Sequence, residues 1–106
     1  MSKYGNKQCV ASDGKVFPSQ RERNRYEELR LMVRAGLIID LETQVKYELI
    51  PKQPSERAVT YTADFRYKQR ETGYVHVEDT KGAKTQQYVI RRKLMLYIHH
   101  IRIEEI

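Results

Sequence analysis

Two strand-like segments joined by a short polar link constrain this chain more than any other feature. In Tyr61-Thr62-Ala63-Asp64-Phe65-Arg66-Tyr67 the odd positions, extended back to Val59, are apolar, and Thr60, Thr62, Asp64 and Arg66 are polar. Side chains two residues apart share a face of a strand, so this segment has one face to bury. A second segment, Val75-His76-Val77-Glu78-Asp79-Thr80-Lys81-Gly82, follows after Gln69-Arg70-Glu71-Thr72-Gly73. A polar link ending in glycine between two such runs predicts a β-hairpin, with strands over 59–67 and 74–81.

Both strands carry carboxylates where a plain core strand would not. Asp79 and Lys81 share a face with Val75 and Val77, which should point inward. Charges on an apolar face are costly unless they serve a metal or a network. Asp64 stands on the neighbouring strand. Two nearby strand carboxylates are the hard oxygen donors that Mg²⁺ prefers, and a lysine beside them can orient or help deprotonate a water. The set suits hydrolysis of a phosphodiester. The plainer alternative makes Asp64 a surface acid paired with Arg66 or Lys68, and Glu78, Asp79 and Lys81 a surface ion-pair group.

The rest of the chain predicts elements around this hairpin. Residues 1–6 are polar and basic and read as a loose arm. Gln8-Cys9-Val10-Ala11 and Lys15-Val16-Phe17 flank Ser12-Asp13-Gly14, the signature of a short N-terminal hairpin. Ser19 with Glu22 three residues on matches a capping box opening a helix over 19–35. Tyr26, Leu29 and Val33 form its apolar face, Glu22 continues that face, and Gly36 stops it. Glu22 therefore has two compatible readings, as a capping residue and as an acid reaching the sheet. Leu37-Ile38-Ile39-Asp40-Leu41 reads as an apolar bridge and 44–50 as a strand. Gln44, at its start, is either a polar lining residue or an ordinary strand-edge residue. The prolines of Pro51-Lys52-Gln53-Pro54 mark a loop. A second helix is expected over 85–97, with apolar surface from Val89, Ile90, Leu94, Leu96 and Tyr97, and a terminal strand over 98–106. After the N-terminal hairpin the order is α-β-β-β-α-β, an α/β (α+β) fold with a mixed sheet flanked by helices. A parallel last strand would make the final connection a right-handed crossover.

With 106 residues and no internal linker, one domain over 1–106 is expected, residues 1–18 forming its arm and hairpin. A net charge of +6 favours a polyanionic partner, nucleic acid or an anionic membrane surface; the plainer alternative is a soluble basic protein with no polyanion to bind. Arg21, Arg25, Lys84, Arg91, Arg92 and Lys93 on the two helices are the candidate phosphate contacts; solvated helix faces are the plainer explanation for each. No apolar run is long enough to span a membrane and no signal-peptide pattern is present, which predicts a cytosolic protein. Cys9 is the single cysteine, so an internal disulfide and a cysteine-rich zinc site are excluded. His76, His99 and His100 form no spaced set and read as surface or partner contacts.

Asp64, then Asp79-x-Lys81, preceded by helix-borne Glu22 within α-β-β-β-α-β, resembles the PD-(D/E)XK nuclease superfamily. More narrowly, Lys3-Tyr4-Gly5-Asn6-Lys7, Asp13-Gly14, Phe17, Ser19-x-x-Glu22, Arg25-Tyr26, Glu28-Leu29, Tyr61-x-Ala63-Asp64-Phe65 and Glu78-Asp79-x-Lys81-Gly82 resemble a family of small phage and prophage proteins of unknown function assigned to that superfamily. The similarity covers nearly the whole chain. It implies a restriction-endonuclease-like core and a Mg²⁺-dependent endonuclease, with Mn²⁺ as an alternative metal. Asp64 and Asp79 would be metal ligands with the Thr80 carbonyl as a third, Lys81 would position the attacking water, and Glu22 would be the helix-borne acid and a further ligand. Ala63 stands where the superfamily's name has proline, and Val45 where the family often has proline after Gln44. DNA in a bacterial cytoplasm is the implied substrate, structure-selective cleavage of junctions in recombination or replication the implied task, and a homodimer a common form. Two other readings compete. One is a DNA-binding protein on the same fold that does not cut. The other is a phage protein that binds a host protein, whose association would lack the steep salt dependence of polyanion binding.

Overall fold

The computed structural model describes residues 9–80 and 84–106. The arm expected over 1–6, Gln8 of the first strand, and Lys81 and Gly82 lie outside the described residues. The elements run β1 (Cys9–Val10), β2 (Val16–Phe17), α1 (Gln20–Arg34), β3 (Ile38–Ile50), β4 (Val59–Gln69), β5 (Val75–Asp79), α2 (Gln86–His99) and β6 (Glu104–Glu105). β1 and β2 pair antiparallel through the Asp13-Gly14 turn, where Gly14 takes φ 92°. The other strands make one mixed sheet in the order β3-β4-β5-β6. The first three are antiparallel neighbours and β6 runs parallel to β5, so α2 is the crossover between them.

β4 organises the interior. Its odd residues Tyr61, Ala63, Phe65 and Tyr67 are all buried, as the alternation requires. Phe65 and Tyr67 join Tyr26, Leu29, Phe17, Ala11 and Ile38 in a core beneath α1, where the rings of Phe17, Tyr26 and Phe65 contact one another. Tyr61 and Ala63 join Leu49, Val77, Tyr88, Met95 and Ile103 in a second core against α2. The central strand therefore binds both helices through one set of side chains.

Three expectations about elements need correction. The apolar run at 37–41 is not a bridge: Ile38 and Ile39 pair with Gln69 and Lys68, and β3 is one 13-residue strand. Its register slips between Ile39 and Glu42, with Asp40 in the left-handed region at φ 58°. A bulge there breaks the alternation, which made the segment read as separate. The strand expected over 98–106 shrinks to Glu104–Glu105, because α2 continues to His99. His100, left-handed at φ 59°, caps it, with His100 N–H and Ile101 N–H reaching the carbonyls of Leu96 and Met95. On the helices, Val33, Ile90, Leu96 and Tyr97 are exposed. Met32 packs where Val33 was expected, and Tyr88 and Met95 carry the buried face of α2. Both α-helices begin on a capping hydroxyl, Ser19 Oγ accepting Glu22 N–H and Thr85 Oγ1 accepting Tyr88 N–H.

Candidate functional site

The first turn of α1, the middles of β3 and β4 and the N-terminal hairpin meet at a cleft of about 340 Å³ lined by Lys15, Val16, Phe17, Pro18, Glu22, Thr43, Gln44 and Asp64. Two of the acids singled out from sequence are thus in one wall-to-wall space. Glu22 is brought there by the apolar spacing of α1, which puts it on the buried side with Tyr26 and Leu29 and leaves it 5 % exposed. Its main-chain N–H is the one capped by Ser19. Its side chain does something else: Glu22 Oε2 accepts a hydrogen bond from Gln44 Nε2 at 3.0 Å. Capping position and inward-reaching acid are both correct descriptions of it.

Gln44 is not at a strand start. It lies within β3, between the pairs Thr43–Phe65 and Val45–Ala63, which sets it beside Asp64 of β4. Its φ is 55°, a left-handed conformation that is strained for a residue with a side chain. Its side-chain amide reaches α1, where it donates to Glu22.

Asp64 is not paired with Arg66 or Lys68. Its Oδ2 accepts both Thr80 N–H at 2.7 Å and Thr80 Oγ1–H at 2.8 Å. Among the described residues its other oxygen takes no hydrogen bond, and the carboxylate faces the cleft. Thr80, proposed from the resemblance through its carbonyl, thus acts on Asp64 through its amide and hydroxyl. The surface ion-pair reading of Glu78 and Asp79 is overturned by burial: Glu78 is 0 % and Asp79 2 % exposed. Asp79 Oδ2 accepts Tyr61 O–H at 2.6 Å. Burial first and that bond second push the Tyr61 phenol far above its ordinary range, so it stays a donor. Glu78 is held by Arg25 Nε and Nη2 at 2.8 and 2.6 Å and by the Tyr67 hydroxyl. Glu78 in turn holds the Arg25 guanidinium more firmly protonated. Among the described residues no group of three or more His, Cys, Asp and Glu side chains is gathered closely enough to hold a metal ion.

The candidate phosphate contacts divide. Arg25 is engaged by Glu78 and Glu28. Lys84 and Arg92 bind Glu105 at 3.0 and 2.9 Å, and Arg91 Nε donates to the Thr60 carbonyl at 2.9 Å. Arg21 and Lys93 are exposed. Of the histidines expected as surface or partner contacts, His100 is exposed and His76 and His99 are half-buried. His76 stacks on Tyr67 and bonds Glu104 at 2.7 Å, and His99 Nε2 donates to the Glu48 carbonyl at 2.7 Å.

Sequence reasoning missed Lys15, Thr43 and the Arg25–Glu78–Tyr67 group. Nothing in local periodicity marks them: Arg25 and Glu78 are 53 residues apart. Only the Asp-Gly turn next to Lys15 gave a hint of where that lysine would sit. No described helix is long and apolar enough to cross a membrane. Neither curated proteins nor solved structures include a match to this chain. A family model does match it, over residues 1–104, and the chain belongs to that family, described as Protein of unknown function (DUF1064).

Proposed function

We propose that this protein is a metal-dependent endonuclease that hydrolyses DNA phosphodiester bonds on a PD-(D/E)XK, restriction-endonuclease-like core. The observation that carries the reading is the convergence of Glu22 from α1 and Asp64 from β4 on one cleft, with Asp64 tied to Thr80 beside Asp79. The order α-β-β-β-α-β with a parallel last strand supports the core assignment.

The donor chemistry fits a hard divalent ion. Among the described residues the cleft offers two carboxylates and an amide, all with oxygen donors, and no thiol or imidazole. Glu22 and Asp64 would hold Mg²⁺ or Mn²⁺, with Asp79 and the Thr80 carbonyl as the further oxygens on the adjoining strand. When bound, such an ion neutralises phosphate charge and makes a hydroxide accessible near neutral pH. The chain's own residues prepare for this. Both Thr80 donors take Oδ2 of Asp64, which orients the carboxylate and leaves Oδ1 without a hydrogen bond among the described residues. Gln44 Nε2 holds the Glu22 carboxylate through Oε2. Lys81, two residues after Asp79, would position the attacking water. DNA, a bacterial cytoplasm, structure-selective cutting and a homodimer complete the proposal.

One observation favours a second reading, a DNA-binding protein that does not cut: the Asp79 carboxylate is buried and satisfied by Tyr61 rather than opened to the cleft. Cleavage of labelled single-stranded, duplex, flap and four-way-junction DNA, each with Mg²⁺, Mn²⁺ or EDTA, separates the two. Metal-dependent cutting that is lost in Asp79→Ala and Lys81→Ala supports the nuclease. Salt-sensitive binding with no cutting under any metal supports the binding module.

A further inference from the structure

We infer that Lys15, on the N-terminal hairpin, is the residue through which the cleft grips a substrate phosphate; this rests on the proposed action on DNA. A cleft lined by Glu22 and Asp64 repels a phosphodiester unless a cation faces it. Lys15 is the one cation among the described residues that line the cleft. Its ammonium lies 3.5 Å from Thr43 Oγ1 and 6.0 Å from the Tyr26 ring centroid, and no carboxylate among the described residues forms an ion pair with it. Arg25, Lys84 and Arg92 differ in this respect, since Glu78 holds the first and Glu105 the other two.

The hairpin is anchored far more firmly than a free loop. Glu27 accepts both Ser12 N–H and Ser12 Oγ–H, at 2.7 and 2.9 Å. Tyr26 O–H donates to Asp13 at 2.5 Å, and Arg30 lies 3.6 Å from the same carboxylate. Asp13 Oδ1 in turn accepts Lys15 N–H at 3.0 Å. These bonds reach two residues before the lysine and end on its own main chain. Their effect is to hold an exposed cation over the cleft mouth at low conformational cost, which is what a phosphate-positioning contact needs.

The test is binding of fluorescent duplex and four-way-junction DNA in EDTA, across a salt series, for wild type, Lys15→Ala and Lys15→Arg. Circular dichroism serves as the folding check, and cleavage in Mg²⁺ is measured separately. Loss of one phosphate contact lowers the slope of log affinity against log salt by about 0.9. Between 0.1 and 1 M salt, Lys15→Ala should therefore give up about eightfold less affinity than wild type, and Lys15→Arg should behave like wild type. A folded Lys15→Ala with unchanged slope, beside a wild type that binds, overturns the assignment and leaves the nuclease standing. A changed slope in a protein that never cuts supports the contact and removes the catalytic reading. A wild type that binds neither DNA overturns both.

Discussion

Glu78 and Asp64 are carboxylates on adjacent strands with opposite surroundings. Glu78, opposite Phe65 in the ladder, is wholly buried, and its oxygens are taken by Arg25 and Tyr67. Asp64, one residue before Phe65, is half-buried, takes both Thr80 donors on one oxygen, and faces the cleft. A buried charge is tolerated only when its partners saturate it. A charge left partly open, oriented by its neighbours and shared with a second acid in a cleft, has capacity left for a ligand. Carboxylates on neighbouring strands thus divide into one that holds α1 to the sheet and one that stays partly open at the cleft.

The sharpest way to break this comparison is to remove the partner of Glu78. Arg25→Ala leaves a buried, uncompensated carboxylate and should cost about 3–5 kcal/mol of stability by urea denaturation. A loss below about 1 kcal/mol would mean that Glu78 reaches water or another cation, and the division would fail. Asp64→Asn should show the reverse pattern. An amide oxygen can still accept from Thr80, so stability should change by no more than about 1 kcal/mol. The cleavage rate should fall at least about 100-fold, because the negative charge is what the proposed chemistry uses. Tyr67→Phe removes one donor from buried Glu78 but leaves Arg25, and should cost about 1–2 kcal/mol without altering the salt dependence of DNA binding.

A smaller effect lies at the far end of the sheet. Tyr88 first, then Lys84 and Arg92, pull Glu105 down to about 2. A folded-state value below the unfolded one means that the carboxylate stabilises the fold above about pH 4.5. That contribution is lost as pH falls from there through about 2. Wild type should therefore lose more stability than Glu105→Gln between neutral pH and pH 3. Equal losses would show that the α2–β6 junction owes nothing to this charge.

Much of the fold was legible because its signals are local. Strict alternation marked β4, the Asp-Gly turn marked the first hairpin, and Ser19 and Thr85 open the two helices. The misreadings fall where the chain departs from a regular period. Asp40 and Gln44 are left-handed within β3, and His100 ends α2 later than the apolar pattern implied. At the site, Glu22 and Asp64 were recognisable because acids at apolar-face or strand positions are unusual. The bond between Glu22 and Gln44, and the pairing of Arg25 with Glu78, depend on contacts between residues 22 and 53 apart in sequence. No periodicity encodes such contacts.

The most direct test of the central claim, that the Glu22–Asp64 cleft is the divalent-ion site, is calorimetric titration of Mn²⁺ into wild type and Asp64→Asn. Circular dichroism should show both proteins folded. Saturable binding by wild type and at least about tenfold weaker binding by the variant are expected. Equal affinity in the two folded proteins would contradict it and place any bound metal away from this cleft.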